Sequence, residues 1–503
     1  MALHEAARRN VLNFVSTVGQ KYAAGRLLAL FSACFICTHA RVDPDLWGHL
    51  RFGLDTVASG HLPITDPYSF TQDVPWINHE WLSEVTLALS YRAGGMVGML
   101  LRKAIVLGAA FLVLAHHTRS IHPQQRWWLL AAGIIGVAPA ALTMRPQMWT
   151  LLFIPLLWHA LNRRWLLAIP LLFALWANLH GGWIVGLGIG GLWLVGRVID
   201  ERSFRASLLE AVAVAAGLAA TLVNPYGWRL WWFLLTTVRP SRAIGEWRPA
   251  WEQSDATAAL LWAAIVLVIV MPTMVRRRAS IAWAGALPVM WLGVMGLFVV
   301  RLVPLFGEVA LLGLAGAWRE PVGRVRDPAA AGPQTQDPPY KNPHRIIDAV
   351  AVAAICLTNL VSETRCLSIP ADNWTPDLRA ASALASPAAH GRLVLPFNWG
   401  EYAIWHFGPR LRVSIDGRRE TVYSERTIDL QAAVENGLAP GIEFLRATRP
   451  EYVWLATATG APAAAWLKAN GYRMDVETGE SFIATREDVA PVTIAPPQSR
   501  CFP

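Results

Sequence analysis

About eleven apolar runs constrain this chain more than any other feature, because each has roughly the length that crosses a bilayer. They lie near residues 22–40, 96–116, 127–144, 147–162, 165–180, 182–199, 207–223, 256–275, 281–300, 302–318 and 346–362. A span requires roughly 20 apolar residues, fewer where flanking side chains snorkel. Only 16% of the 503 residues are charged and 54% are hydrophobic, whereas soluble domains carry about 25% charged residues. Such a chain cannot cover a water-facing surface, so the expected fold class is an α-helical polytopic membrane protein, with the lipid bilayer as its first partner. A net charge of +9 on a soluble domain would suggest nucleic acid. Here the Lys and Arg sit between apolar runs and read as topology, and no nucleic-acid partner is expected.

The basic connections alternate along the chain. His116, His117, Arg119 and Arg126 fall in one, followed by Arg163 and Arg164, by Arg197, Arg202 and Arg205, by Arg276, Arg277 and Arg278, and by Arg319, Arg324 and Arg326. All belong to the side of the N-terminal tail, which carries Arg8, Arg9 and Lys21. Cytoplasmic loops are rich in Lys and Arg, so that side is expected to be cytoplasmic in a bacterial inner-membrane protein. The first run has no small-residue cleavage site after it and reads as a retained signal anchor.

The resulting organisation is a cytoplasmic tail at 1–21 and a transmembrane core at 22–318 with a long first outer loop at 41–95. A Pro-rich cytoplasmic linker at 319–345 and a last span at 346–362 lead to a small extracytoplasmic α/β domain at 363–503. Within that domain, strands are expected at 392–396, 412–415, 452–456 and 482–485, with helices at 376–386, 424–436 and 461–470. Cys366 and Cys501 flank it and are free to pair if it lies outside. Cys34 and Cys37 fall in the first apolar run and read as packed thiols.

Chemistry concentrates in the first outer loop, where Asp43-Pro44-Asp45 is followed by His49, Asp66, His79 and Glu80. Carboxylates fixed at a membrane surface take a proton from a hydroxyl or hold a divalent cation. The competing reading is an ordinary interfacial loop with an aromatic belt and helix-capping Asp residues. Arg145 and Arg301 are expected at outer ends of spans, where the positive-inside rule disfavours them, and Arg248 in the same outer region is a third cation for a lipid phosphate. His180, followed by Gly181 and Gly182, is expected at the same face as a further candidate for the donor phosphate, with a small-residue packing contact between helices as the competing reading. In the C-terminal domain Trp399, Glu401, Tyr402, Asp416 and Arg418 are candidates to line an acceptor groove, although aromatic core residues and a plain Asp416-Gly417 turn explain the same pattern.

A short tail, one span and an outer loop opening with Asp43-Pro44-Asp45 and followed by His49 resemble the GT-C superfamily of membrane glycosyltransferases. The resemblance covers nearly the whole chain. It implies a polyprenyl-phosphate or polyprenyl-diphosphate sugar donor, a glycan, lipid or protein acceptor, and a catalytic carboxylate early in the loop, at Asp45 or Asp43. His79-Glu80-Trp81 stands where protein mannosyltransferases and lipid A aminoarabinose transferases have His-Pro-Pro. Asp43-Pro44, His49-Leu50-Arg51, Gly60 and Asp66-Pro67 are similar to the first loop of oligosaccharyltransferase catalytic subunits. Their Trp-Trp-Asp-Tyr-Gly motif has only a partial counterpart in Trp399-Gly400-Glu401-Tyr402. Arg145-Pro146-Gln147, Asn178-Leu179-His180 and Asn224-Pro225-Tyr226 resemble an uncharacterised bacterial branch of the same superfamily. Members differ in metal dependence, so Mg2+ or Mn2+ at Asp45 and Asp66 is implied as an option, with His49, His79 and Glu80 in support.

The reading drawn from these residues is sugar transfer at the outer face of the cytoplasmic membrane by an inverting enzyme. Its rival is a non-catalytic transporter, flippase or scaffold of envelope polysaccharide assembly. A transporter places polar residues near mid-bilayer and often contains internal repeats. Here the polar residues gather at one face and no repeat is evident, which favours the enzyme.

Overall fold

The computed structural model describes residues 24–237, 245–277, 282–318, 343–372, 374–496 and 499–503. The N-terminal tail, most of the 319–345 linker and residues Arg278, Arg319, Arg324 and Arg326 lie outside them. Each expected apolar run coincides with a helix. These are α1 (Ala24–Thr38), α3 (Trp81–His117), α4 (Pro123–Gly136), α5 (Gln147–Arg163), α6 (Ala168–Leu179), α7 (Trp183–Glu201), α8 (Leu208–Ala220), α10 (Thr257–Val275), α11 (Trp283–Phe298), α12 (Val303–Leu314) and α13 (Pro343–Arg365). The helices α2 (Asp45–Ser59) and α9 (Trp228–Thr237) lie in segments read from sequence as connections.

Among the described residues, four helical stretches are long and apolar enough to cross a membrane: Trp81–His117, Trp183–Glu201, Thr257–Val275 and Val300–Trp318. The bundle also turns bulky apolar side chains outward. Ile105, Leu112 and Leu171 are 70%, 72% and 71% exposed, which is costly in water and favourable against acyl chains.

The first outer loop is more ordered than a connection. Its helix α2 runs over Asp45–Ser59 and ends at Gly60, whose φ of 73° is the left-handed conformation that closes a helix most cheaply with glycine. The next helix begins at Trp81 rather than near 96, because a break in α3 at Gly94 and Gly95 (φ 55° at Gly95) separates the loop-proximal half from the apolar half. Periodicity registers only the apolar half.

The C-terminal domain is built on a five-stranded mixed sheet of order β3-β2-β4-β6-β5, with β2 (Gly391–Val394), β3 (Leu411–Val413), β4 (Tyr452–Ala456), β5 (Tyr472–Glu477) and β6 (Ser481–Arg486). β2 is parallel to both β3 and β4, whereas β6 is antiparallel to β4 and β5. A separate ribbon pairs β1 (Leu367–Ser368) with β7 (Cys501–Phe502), and Cys366 forms a disulfide with Cys501 across it. The helices α14 (Leu378–Leu384), α15 (Gly400–Phe407), α16 (Glu425–Glu435), α17 (Ala439–Thr448) and α18 (Thr457–Ala469) complete the domain.

Loop and domain share one core. Leu46, Trp47 and Leu50 of α2 pack with Leu393, Tyr402, Phe407 and Val413, all buried. The loop also extends the sheet: Phe70 donates its amide to the Val413 carbonyl at 3.1 Å, and Val413 donates to Tyr68 at 3.0 Å. Covering the β3 edge in this way satisfies backbone groups that an open edge would leave unpaired.

Candidate active site

Where the first loop, the helical bundle and the C-terminal domain meet, Arg145 stands between three carboxylates. It immediately precedes Pro146 at the start of α5. Its guanidinium reaches Asp43 at 3.1 Å, Asp45 at 2.9 Å and Glu246 at 3.1 Å. Glu246 turns its other oxygen to Arg301 at 3.3 Å, and Arg301 also donates to Gln147 at 3.4 Å. The result is a continuous row, Asp45, Arg145, Glu246, Arg301, in which the Arg145 side chain is 15% exposed but Asp45 and Glu246 are 28% and 47% exposed. The row is anchored inside and open outside. Arg248 is exposed beside it, and its carbonyl accepts the amide of Val300 at 3.3 Å.

A second group adjoins the row. Glu80 lies 3.6 Å from His180 Nε2 and 3.7 Å from His79 Nε2. The His180 Nδ1 accepts the Gly182 amide at 3.1 Å and lies 2.7 Å from the Thr150 hydroxyl, so its Nε2 carries the proton that faces Glu80. Burial would raise the Glu80 carboxyl, but His79, His180, His49 and Arg301 around it hold it below its ordinary value. His49 lies on α2 with Nδ1 3.2 Å from Glu84, whose other oxygen accepts the Asn78 amide at 2.6 Å. Burial alone would lower His49; the bond to Glu84 and the charges of Glu80, Glu84 and Asp45 instead raise it to about 9. Burial lifts Asp45 above the usual carboxylate value, with Arg145 opposing and Asp43 reinforcing the effect. A raised carboxylate is a better proton acceptor than a free one.

Motifs away from the loop hold it in place. The Trp81 indole donates to Asn178 at 2.9 Å, and the Asn78 amide donates to the Tyr226 hydroxyl at 3.0 Å. Thus Asn178-Leu179-His180 and Asn224-Pro225-Tyr226 brace the segment that carries His79 and Glu80.

Asp66 and the C-terminal candidates are used differently from the expectation. Arg418 donates to both oxygens of Asp66 at 2.7 and 2.9 Å and to both of Asp416 at 2.8 and 2.6 Å. Asp66 also accepts from Tyr68 and Ser69, and Asp416 from the Tyr423 hydroxyl at 2.6 Å. Phe52, Tyr68 and Trp76 surround the guanidinium at 4.7–5.1 Å. This is a sealed clamp between loop and domain. Trp399 packs against Trp454 in a tilted arrangement with ring centroids 4.6 Å apart, and Tyr402 meets Trp47 edge-on at 5.3 Å. Trp399, Glu401, Tyr402, Asp416 and Arg418 are all buried, so they do not line an open acceptor groove; apolar packing and ion pairing have drawn them into the interface.

Glu401 nevertheless reaches the site from beneath. It accepts the Gly48 amide at 3.1 Å, and a β-carbon on Gly48 would meet it at 2.1 Å. A β-carbon on Gly417 would meet Glu401 Oε1 at 2.5 Å and Asp45 Oδ1 at 2.7 Å. Only glycine at these two positions lets the two carboxyls approach. Burial, followed by the nearby Asp45 and Asp416, holds Glu401 well above its ordinary value, which favours its neutral form.

The residues as arranged do not fit a divalent cation. Asp43 and Asp45 are bridged by a guanidinium, Asp66 is fully engaged by Arg418, and no group of three or more His, Cys, Asp or Glu among the described residues is arranged to hold a metal ion. Sequence reasoning passed over Glu246 and Glu84. Glu246 adjoins the Trp247-Arg248 pair, but a lone Glu in a connection gives no signal until its two arginine partners are in place.

No known protein family and no curated protein matches the sequence. Solved structures do resemble it. The Archaeoglobus fulgidus oligosaccharyltransferase tethered with an acceptor peptide containing the NVT sequon matches with a TM-score of 0.52 and 11% identity, over 92% of this chain and 74% of that one. Its apo form gives 0.52 and 10% identity over 88% and 71%. ArnT from Cupriavidus metallidurans in the apo state gives 0.51 and 11% identity over 95% and 98%. The chain therefore shares the overall fold of these solved structures.

Proposed function

We propose that this multi-pass membrane protein transfers a sugar from a polyprenyl-phosphate or polyprenyl-diphosphate donor to a glycan, lipid or protein acceptor. The reaction takes place at the outer face of the bacterial cytoplasmic membrane. The observation that carries this reading is the row Asp45, Arg145, Glu246, Arg301, which sets a proton-accepting carboxylate and a half-buried cation along one surface. The shared fold supports it. The Cys366–Cys501 disulfide supports an oxidising compartment for the C-terminal domain.

In this mechanism Asp45 takes the proton of an acceptor hydroxyl as its oxygen bonds to the anomeric carbon. The bond from that carbon to the lipid phosphate breaks with inversion, and the phosphate leaves with the electron pair. Arg301, with Arg248 beside it, meets the developing negative charge. A lipid phosphate is a good leaving group, so alignment and charge neutralisation carry most of the rate enhancement. Arg145 keeps Asp43 and Asp45 fixed, and Asp43 is the alternative base at the same guanidinium. Every step uses side chains alone, and the positive charge is supplied by guanidinium groups.

The test is purified protein in lipid with a panel of polyprenyl-phosphate and polyprenyl-diphosphate sugars, comparing wild type with Asp45→Asn and Asp43→Asn. Donor-dependent release of lipid phosphate should fall sharply in at least one variant. Release unaffected by both would sink the catalytic assignment and favour a transporter or scaffold.

A further inference from the structure

The opposite end of the bundle carries a second concentration of charge that the transfer reaction does not use. Helix α5 starts two residues after Arg145 and ends at Arg163, and its 17 residues span roughly 25 Å at about 1.5 Å per residue. At that far end an open cavity of about 380 Å³ is lined by His116 and His117 at the end of α3, Arg119 and Ser120 in the turn after it, and His159, Asn162 and Arg163 from the last turn of α5. Among the described residues no carboxylate lines it. The cavity holds many water-sized volumes of about 30 Å³, enough for a phosphate group and its ester carbons.

Basic residues at helix C-termini on one side of a membrane have ordinary explanations in the helix dipole and in topology. Neither explanation asks them to converge on a cavity or to stay unpaired. Neighbouring cations do pair: Arg164 with Glu210 at 3.0 Å and Arg197 with Glu201 at 3.0 Å. Arg119 and Arg163 have no carboxylate partner among the described residues. The imidazoles are held in place. His116 and His159 meet edge-on at 5.3 Å, Trp165 meets His159 at 4.9 Å, and His117 Nε2 lies 3.1 Å from the Leu312 carbonyl, to which it donates.

The surroundings indicate where the ligand comes from. Leu112, one turn before His116, is 72% exposed, and Trp165 and Leu167 beyond α5 are 57% and 84% exposed. The cavity thus opens at a border between an apolar surface and a basic one, the level at which lipid headgroup phosphates lie, and basic pockets between membrane helices are built to take them. We propose that this pocket binds a phosphate ester, supplied by an anionic lipid headgroup of the leaflet opposite the transfer site, through His116, Arg119, His159 and Arg163. Free phosphate shares the chemistry and is separated from the lipid by experiment.

Full-length protein is placed in phosphatidylcholine nanodiscs with and without phosphatidic acid, and retained lipid is counted by native mass spectrometry after extraction. Inorganic phosphate is titrated separately, read by the thermal midpoint. Wild type should retain phosphatidic acid at least about tenfold better than Arg119→Gln/Arg163→Gln, given the strength of hydrogen bonds to charged groups. His116→Gln/His159→Gln should lose part of that preference. Arg202→Gln, a basic position at the same end but outside the cavity, should behave as wild type, and all variants should melt alike in phosphatidylcholine alone. Saturable inorganic phosphate binding lost in the double arginine variant, with no preference for phosphatidic acid, would make free phosphate the occupant and overturn the lipid source. Equal retention by wild type and both double variants, or an equal loss in Arg202→Gln, would overturn the site.

Discussion

Two arginines of this protein, one buried and one half-buried, face pairs of aspartates, and they do opposite things. Arg418 is 5% exposed, and its partners Asp66 and Asp416 are fully enclosed, with every carboxylate oxygen taken and three aromatic rings around the guanidinium. Arg145 shares its charge among Asp43, Asp45 and Glu246, two of which remain open to a ligand. A saturated cluster has no capacity left for chemistry and acts as a joint. An unsaturated one can exchange a protein contact for a substrate contact, which is what a site requires. Ion pairs of the same composition are thus sorted into structure and function by how completely their hydrogen-bonding capacity is spent.

The sharpest way to break this contrast is Asp45→Asn, which should lower sugar transfer by about 10²–10⁴-fold, the usual contribution of a positioned base, while the thermal midpoint changes little. A loss of folding without a selective loss of rate would place Arg145 with the joints. Arg418→Met should do the reverse. It strands two buried carboxylates and should cost about 3–5 kcal/mol of stability, measured by denaturant or thermal unfolding in detergent. The disulfide bridges a separation of 135 residues, so Cys366→Ser should cost about 2–5 kcal/mol, read in the same way and reproduced by reduction of the wild type.

Two smaller effects follow from the groups beneath the open cluster. Glu401 has a folded value raised above that of the unfolded chain, so its favourable contribution is complete below the unfolded value and declines as pH rises towards the folded one. Glu401→Gln cannot ionise and should gain stability relative to wild type above about pH 4.3, the unperturbed Glu value. A pH-independent difference in thermal midpoint would show that Glu401 is not held neutral. His49 is raised to about 9. Its stabilising charge should be fully present below about pH 6.5 and be lost as pH climbs through about 9. The gap in midpoint between wild type and His49→Gln should close across that window.

Much of the membrane region was legible because bilayer physics acts on each segment separately. Every expected apolar run coincides with a helix, and the strands β2, β3, β4 and β6 lie where short apolar segments placed them. What periodicity missed has local causes. Helix α2 mixes Asp45, His49, Arg51 and Asp55 with its apolar face, and the first half of α3 interleaves Ser83, Glu84, Thr86, Ser90 and Arg92 with apolar residues and is cut off at Gly95. Strand β5 lies at the sheet edge, and its charged Arg473, Asp475 and Glu477, alternating with Tyr472, Met474 and Val476, leave no continuous apolar run of the kind that marked the other strands.

The candidate site divides in the same way. Residue type and the Asp43-Pro44-Asp45 opening drew attention to the loop, and the unusual position of Arg145 and Arg301 marked them as its cations. Both inferences rest on the chemistry of single residues, which a sequence displays directly. Which carboxylates stay open was decided only by the tertiary structure. Asp66 and Asp45 look equivalent in the chain, yet Asp66 meets Arg418 some 350 residues later and is spent, while Asp45 meets Arg145 at the rim. Saturation depends on who the neighbours are, and long-range packing chooses them.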